Sequence, residues 1–275
     1  MQALTSCKYI SCSGGGSKAI MYIGCFRALQ EHVHRTGISY ECFRRQVHGY
    51  AGTSAGSLAC LSLALGLDVK DLQRIFGATF EAAHHVTPCP DISLLLNSYG
   101  LDAGDGIRQI VKTLLRNTGL ADQTTLSDLK RLLGKEFVSC ATDLNAQCKK
   151  YLSPQNTPHL SVVDAVFMSM CAPIVFAPVQ YEGHLYADGA LCENLPKCFP
   201  GHETLFITIE GVQEELQISS WSDFVYSVLS CSLRQVAPHE DEYLADKRTI
   251  RLVVPQWLRS LKLVNSLTSA STKQL

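Results

Sequence analysis

Three short stretches, far apart in the chain, hold residue types that can act on an electrophilic carbonyl. They are Ser13-Gly14-Gly15-Gly16-Ser17-Lys18, Gly52-Thr53-Ser54-Ala55-Gly56 and Asp188-Gly189-Ala190. Consecutive glycines leave backbone N–H groups open to an anion. A serine inside G-x-S-x-G can sit on a sharp strand-to-helix turn with its hydroxyl exposed. An aspartate ahead of a glycine can be held on a tight turn and take up a proton. Read jointly, the three predict a serine hydrolase that works with a Ser–Asp pair and needs no histidine.

A G-x-S-x-G motif is weak alone; its setting strengthens it. An apolar strand candidate precedes Ser54, an apolar helix follows, and Gly52 and Gly56 are small enough for a tight elbow. The start of the helix adds positive potential beside the hydroxyl. The bland reading of Ser54 is a helix cap, and of Asp188 a turn aspartate in a hairpin. A free aspartate, with a pKa of about 3.9, is a poor base. Burial would raise its basicity, and a short hydrogen bond to Ser54 would align the transfer. Gly189 is expected to remove a side chain that would crowd the serine. Gly14, Gly15 and Gly16 form the expected donor array for an oxyanion. A nucleotide cradle is the competing reading of those glycines. G-x-x-x-x-G-K-[ST] is absent, however, and G-x-G-x-x-G fails at Ala19. His202 or His239 would complete a Ser…Asp…His order, but both read as surface residues. His84-His85 has no second ligand pair at metal-binding spacing.

These residues need elements to position them. Lys8 to Cys12 reads as a strand running into the glycines, followed by a helix from Lys18 to Thr36 that Gly37 ends. A second unit follows: a strand over Gln46 to Tyr50, Ser54 at the junction, and a buried helix over Ser57 to Leu65. Asp68 is a candidate N-cap for a helix through about Ala83. His84 to Asp102, with its prolines and leucine run, is the candidate mobile, lid-like segment; the alternative is an ordinary loop packing its leucines. Helices are expected over Ile107–Asn117, Leu126–Leu133 and Val162–Cys171, the last stopped by Pro173. Strands are expected over Phe137–Thr142, Lys149–Leu152 and Thr204–Ile209. A hairpin around Glu182-Gly183 delivers the chain to Asp188. Beyond Gly211 the pattern weakens to a helix over Trp221–Gln235, a strand over Thr249–Val254 and an amphipathic helix over Trp257–Leu267. The alternation predicts an α/β fold, a mostly parallel sheet flanked by helices on both faces. Residues 8–210 make the catalytic domain and 211–275 an extension packed on it.

Bulk properties narrow the class. The chain has 275 residues, 46% hydrophobic and 18% charged, enough to bury a sizeable core. A formal net charge of −1 argues against a nucleic-acid binder working by bulk electrostatics. The 12 cysteines are scattered, with no C-x-x-C pair and no zinc-finger spacing. They read as reduced thiols in a reducing compartment. Met1 to Cys12 shows no signal-peptide pattern. The longest apolar stretch, Leu58 to Leu67, is about half the ~20 residues of a membrane span. The expectation is a soluble, cytoplasmic protein.

The combination resembles the patatin-like phospholipase family. The resemblance rests on Gly-Gly-Gly-x-Lys at Gly14 to Lys18, Gly-Thr-Ser-Ala-Gly at Gly52 to Gly56, and Asp-Gly-Ala at Asp188 to Ala190 followed by Asn194-Leu195-Pro196. Ala141-Thr142-Asp143-Leu144-Asn145 and the Ser169–Val179 stretch agree with it. It implies a three-layer fold and hydrolysis of lipid acyl esters, of phospholipase A or lysophospholipase type, without metal ion or cofactor. Ser54 would be the nucleophile, Asp188 the proton acceptor, and Gly15 and Gly16 with neighbouring amides the oxyanion hole. Lys18, Gly52, Ala55, Gly56, Gly189 and Asn194 would support them. The implied partner is a phospholipid or similar lipid, with peripheral contact to a membrane or lipid droplet. Two departures stand out: Ser13 replaces the family's acidic residue, and Ala19 a glycine. A catalytically weak lipid-binding protein, or a transacylase sharing the acyl-enzyme, are the alternative functions.

Overall fold

Four short segments rich in β-branched, aromatic and small residues build the centre of the molecule. They are β1 (Tyr9–Cys12), β2 (Gly49–Thr53), β4 (Glu136–Asp143) and β9 (Thr204–Glu210), buried along nearly their whole length. Continuous burial is the mark of strands covered on both faces, and all four pair in parallel. The computed structural model describes residues 7–74, 92–210, 218–219, 224, 227–228, 231 and 248–255. Within them the main sheet runs β10-β9-β1-β2-β4-β8-β7, with β5 also paired to β4. Here β5 is Cys148–Leu152, β7 Val179–Tyr181, β8 His184–Asp188 and β10 Thr249–Val253. β10 to β4 are parallel, whereas β5, β8 and β7 add antiparallel pairings. A separate two-stranded sheet joins β3 (Gly100–Asp102) to β6 (Ile174–Phe176). The result is an α/β fold, a mostly parallel sheet flanked by helices.

Local chemistry sets the helices. α1 (Met21–Arg35) buries Tyr22, Cys25, Phe26, Leu29 and Val33, a helical period, and Gly37 beyond its end has φ +80°. α3 (Ala55–Ala64) is buried at all ten positions, as expected of a helix apolar on every side. α5 (Asp105–Asn117) precedes α6 (Leu126–Leu133), whose Thr125 and Asp128 form a capping box. α7 (Val162–Met170) starts from Ser161, whose hydroxyl accepts from the Asp164 N–H. The Glu182-Gly183 hairpin has both residues at positive φ, the requirement of a tight two-residue turn. Tyr22, Phe26, Phe43, Tyr50, Phe137, Phe167 and Phe206 are the largest side chains sealed in the core. Each contributes roughly 1.5–3 kcal/mol by leaving water.

Three expectations need correction. The helix expected from Lys18 begins as a 3₁₀ turn over Gly16–Ile20 and becomes α-helical only at Met21, because no side chain caps the glycine loop. The strand expected over Gln46–Tyr50 starts at Gly49. Tyr40–Gln46 is α2, nucleated by Ser39, whose Oγ accepts from the Cys42 N–H at 3.1 Å. The ordinary-loop alternative for His84 to Asp102 is replaced by regular structure at its end, where residues 92–98 form α4 (Ile92–Ser98) and lead into β3. Residues 84–91 of that segment lie outside the described residues. Asp68 does cap a helix, accepting from the Asp71 N–H at 2.8 Å, and the described part of that helix ends at residue 74. Of the Trp221–Gln235 helix only Phe224, Ser227, Val228 and Cys231 are described, all helical. The Trp257–Leu267 helix lies outside the described residues. Among the described residues no helix is long and apolar enough to cross a membrane.

Candidate active site

The site forms where strands leave the carboxyl edge of the parallel sheet. From β1 the chain crosses to β2 on one side; from β9 it continues to β10 on the other. Neighbouring strands whose connections diverge leave a crevice, the usual ligand position in open α/β sheets. The glycine loop follows β1 and Ser54 follows β2, with Cys12 and Gly52 paired in register.

Ser54 has φ 53° and ψ −126°, a strained conformation for a residue with a side chain. It is the nucleophile-elbow geometry that the motif implies, and Ser54 does not cap α3 with its side chain. The flanking glycines make the turn possible. A Cβ on Gly52 would lie 2.3 Å from the Gly56 carbonyl oxygen, and one on Gly56 2.3 Å from the Ser13 oxygen. Ala55 and Gly56 thus start a helix pressed against the end of β1, its first amides beside the serine. The Ser54 N–H donates to Ser169 Oγ at 2.8 Å, and that hydroxyl donates to the Cys140 carbonyl at 2.5 Å. Ser169 thereby bridges the elbow to β4.

Asp188 closes the site from β8, opposite Ala141 of β4. Its N–H donates to the Cys171 carbonyl at 2.8 Å, and its carbonyl accepts from Thr142 Oγ1 at 2.9 Å. With the backbone fixed, Oδ2 accepts from Ser54 Oγ at 2.7 Å and Oδ1 from the Ala190 N–H at 2.9 Å. Burial pushes this carboxyl up to about 6, against the smaller opposing effects of the Ala190 and Ser54 hydrogen bonds. Gly189 has a different reason from the one expected. A Cβ there would meet the Cys140 carbonyl oxygen at 2.1 Å, so the glycine lets the turn pass β4, not the serine.

The three loop glycines divide in their roles. The Gly14 N–H donates to the Asn194 carbonyl at 3.1 Å and is therefore not open to a ligand, a correction to the three-donor array. Among the described residues no protein group accepts from the Gly15 or Gly16 N–H. Gly16 has φ +54° and is exposed. A Cβ on Gly14 would fall 2.6 Å from Asn194 Oδ1 and 3.2 Å from Ser54 Cβ, which places the loop directly against the serine. Ser13, at the family's acidic position, ties the loop to β9. Its Oγ accepts from the Ile209 N–H at 3.0 Å and donates to the Gly14 carbonyl at 3.1 Å. The Lys18 N–H closes the 3₁₀ turn onto the Gly15 carbonyl at 3.0 Å, and its side chain is half-buried.

Sequence reasoning thus named the residues that meet and, of those that hold them, Asn194, but not the parts played by Ser169, Thr142 and Ser13. The motifs that contain Ser169, Thr142 and Ser13 do not show these contacts, because the partners are backbone groups: the Ser54 N–H and the Cys140 carbonyl for Ser169, the Asp188 carbonyl for Thr142, and the Ile209 N–H and Gly14 carbonyl for Ser13. Among the described residues no histidine bonds either carboxylate oxygen of Asp188: His202 lies in a 3₁₀ turn before β9, and His239 is outside the described residues. Among the described residues no three His, Cys, Asp or Glu side chains gather in a way that could hold a metal ion. A serine hydroxyl bonded to a buried, basic carboxylate beside open amides supplies the parts that acyl transfer requires.

An α/β sheet with a serine on a strand-to-helix elbow defines the class. The chain belongs to the patatin-like phospholipase family, whose model matches residues 10–196. Relatives are distant. The probable lipid hydrolase 463L of Invertebrate iridescent virus 6 is 21% identical over 192 residues, 69% of this chain and 61% of that protein. Protein R571 of Acanthamoeba polyphaga mimivirus is 23% identical over 189 residues, 69% of this chain and 60% of that one. A cGAMP-activated phospholipase of Pseudomonas aeruginosa is 26% identical over 164 residues, 55% of this chain and 44% of that protein. The chain thus spans about 60% of the length of the two viral relatives. The crystal structure of VipD from Legionella pneumophila superposes with a TM-score of 0.58 at 18% identity, covering 95% of this chain and 65% of that one; the fold is shared.

Proposed function

We propose that this chain hydrolyses carboxylic esters of lipids, phospholipids or lysophospholipids, through Ser54 and Asp188. The observation that carries the reading is the 2.7 Å hydrogen bond from Ser54 Oγ to the buried Asp188 carboxylate. Ser54 Oγ attacks the ester carbonyl carbon while its proton passes to Asp188 Oδ2. The carbonyl oxygen, now negative, is met by the Gly15 and Gly16 N–H groups. As the tetrahedral intermediate collapses, the C–O bond breaks and Asp188 returns the proton to the departing alcohol. Water then attacks the acyl-serine, again giving a proton to Asp188, and the fatty acid leaves as Ser54 recovers its hydrogen. Membership in a phospholipase family, and relatives named lipid hydrolase and phospholipase, favour a lipid over a small soluble ester.

The test is phospholipid and lysophospholipid hydrolysis in the presence of a chelator, comparing wild type with Ser54→Ala and Asp188→Asn. Both substitutions are expected to lower turnover by at least 10³-fold, the scale of losing a nucleophile or its base. Wild-type turnover in Ser54→Ala would overturn the reading; full activity in Asp188→Asn would place the base elsewhere. Activity that vanishes on chelation would replace the two-residue mechanism with a metal-assisted one.

A further inference from the structure

The segment from Asp188 to Pro196 touches every working part of the site. Asp188 reaches Ser54. The Gly189 carbonyl accepts from the Cys192 and Glu193 N–H groups at 3.0 and 2.8 Å, folding the segment into a compact turn. The Glu193 carbonyl accepts from Thr53 Oγ1 at 3.0 Å, next to the elbow. Asn194 holds the glycine loop through the Gly14 N–H, and the Pro196 carbonyl accepts from Ser11 Oγ of β1 at 2.6 Å. One short stretch thus sets the distance between carboxylate, serine and glycine loop.

What anchors the stretch is a charge. The Glu193 side chain is only 10% exposed, yet its carboxylate is doubly held by β5. Lys149 Nζ donates to Oε1 at 2.7 Å and the Tyr151 hydroxyl donates to Oε2. The Lys149 ammonium also lies 5.4 Å from the Tyr151 ring centre. Burial, and the carboxylate accepting from it, hold the Tyr151 hydroxyl protonated far above the ordinary tyrosine range. A carboxylate buried this far is costly unless paired and hydrogen-bonded, and Lys149 and Tyr151 supply both.

We propose that Glu193 is a positioning residue: its clamp onto Lys149 and Tyr151 of β5 fixes the Asp188–Pro196 segment, and so sets the geometry between Asp188, Ser54 and the glycine loop. This rests on the reading of Ser54 and Asp188 as the reacting pair. Glu193 itself touches no reacting atom. Without the clamp the segment shifts, and the Ala190 N–H that steadies Asp188 Oδ1 moves with it.

The experiment measures kcat, KM and the pH dependence of kcat/KM on a soluble p-nitrophenyl ester. The variants are Glu193→Ala, Glu193→Gln, Lys149→Met and Lys149→Arg, with thermal unfolding in parallel. Glu193→Ala is expected to lower kcat by about 10- to 10²-fold, the scale of a small misplacement of reacting groups, with KM within about twofold. It should also move the acid limb of kcat/KM to higher pH, because Asp188 loses a donor that favours its charged form. Glu193→Gln, which keeps an acceptor for Tyr151, and Lys149→Met should show smaller changes in the same direction; Lys149→Arg should restore wild-type values. A Glu193→Ala enzyme that unfolds earlier but keeps wild-type kcat, KM and acid limb would overturn the proposal. Should Glu193→Ala not fold, Lys149→Met and Tyr151→Phe decide in the same way, and wild-type kinetics in both overturn it. Failure of the underlying reading is seen separately, as Ser54→Ala retaining turnover on the same ester.

Discussion

Asp188 is held ionisable by its surroundings at a cost to the fold. Among the described residues no cation pairs with it; a hydroxyl and one amide are its hydrogen-bond donors. Below pH ~4 the group is protonated whether the chain is folded or not. Between the ordinary 3.8 and about 6 the unfolded chain releases the proton while the folded one keeps it, so stability falls as pH rises. At 1.36 kcal/mol per pH unit the full penalty, present above about 6, is roughly 3 kcal/mol. Asp188→Asn should therefore be inactive yet melt several degrees higher than wild type at pH 8, with the difference vanishing near pH 3.5; equal melting at both pH values would remove the burial argument. In the active enzyme kcat/KM should fall tenfold per pH unit below about 6, as Asp188 takes up its proton. Ser169→Ala leaves the buried Ser54 N–H without an acceptor, at about 1–3 kcal/mol, and should lower both melting temperature and kcat. Ser54 and Asp188 were legible because their chemistry needs glycine neighbours, which leave a pattern. Ser169 was not, since a serine that bonds only backbone looks like any other.

At the scale of elements, glycines discriminate between close approach and mere tolerance. At Gly56 an added methyl meets the Ser13 and Cys12 carbonyl oxygens at 2.3 and 2.4 Å, backbone atoms that cannot yield. Gly56→Ala should cost more than the ~1–3 kcal/mol of ordinary overpacking and separate α3 from β1. Gly24, exposed in the middle of α1, has nothing within 4 Å of the same position. There alanine should stabilise by up to ~1 kcal/mol, read as a higher melting temperature with unchanged turnover. Elements with their own signals were read well: α6 with its capping box, Gly37 behind α1, and the Glu182-Gly183 hairpin. α2 was not legible because a seven-residue helix has barely two turns of periodicity, and a lone serine ahead of it, Ser39, is too common a signal to mark its start. The β3–β6 sheet was not legible because its two three-residue strands, unlike β7, are joined by no hairpin turn and pair in parallel from distant segments, and Ile174 joins it at φ +70°, a conformation no sequence rule assigns to a β-branched residue.

At the scale of the molecule, strand order was the least legible feature. Sequence shows that β1, β2, β4 and β9 are buried strands, but their neighbours follow from which side each connection takes. The central parallel strands should hold the slowest-exchanging amides, with β3, β6 and β7 exchanging well before them; hydrogen exchange followed by mass spectrometry reads this, and uniform protection would contradict it. The order also brings together Ser54 and Asp188, 134 positions apart, at the ends of two strands that flank the same β4. A ribosome making this chain therefore releases the alcohol of the pair long before its acid partner exists. Until Asp188 has been added, no nascent fragment holds both groups of the proposed pair.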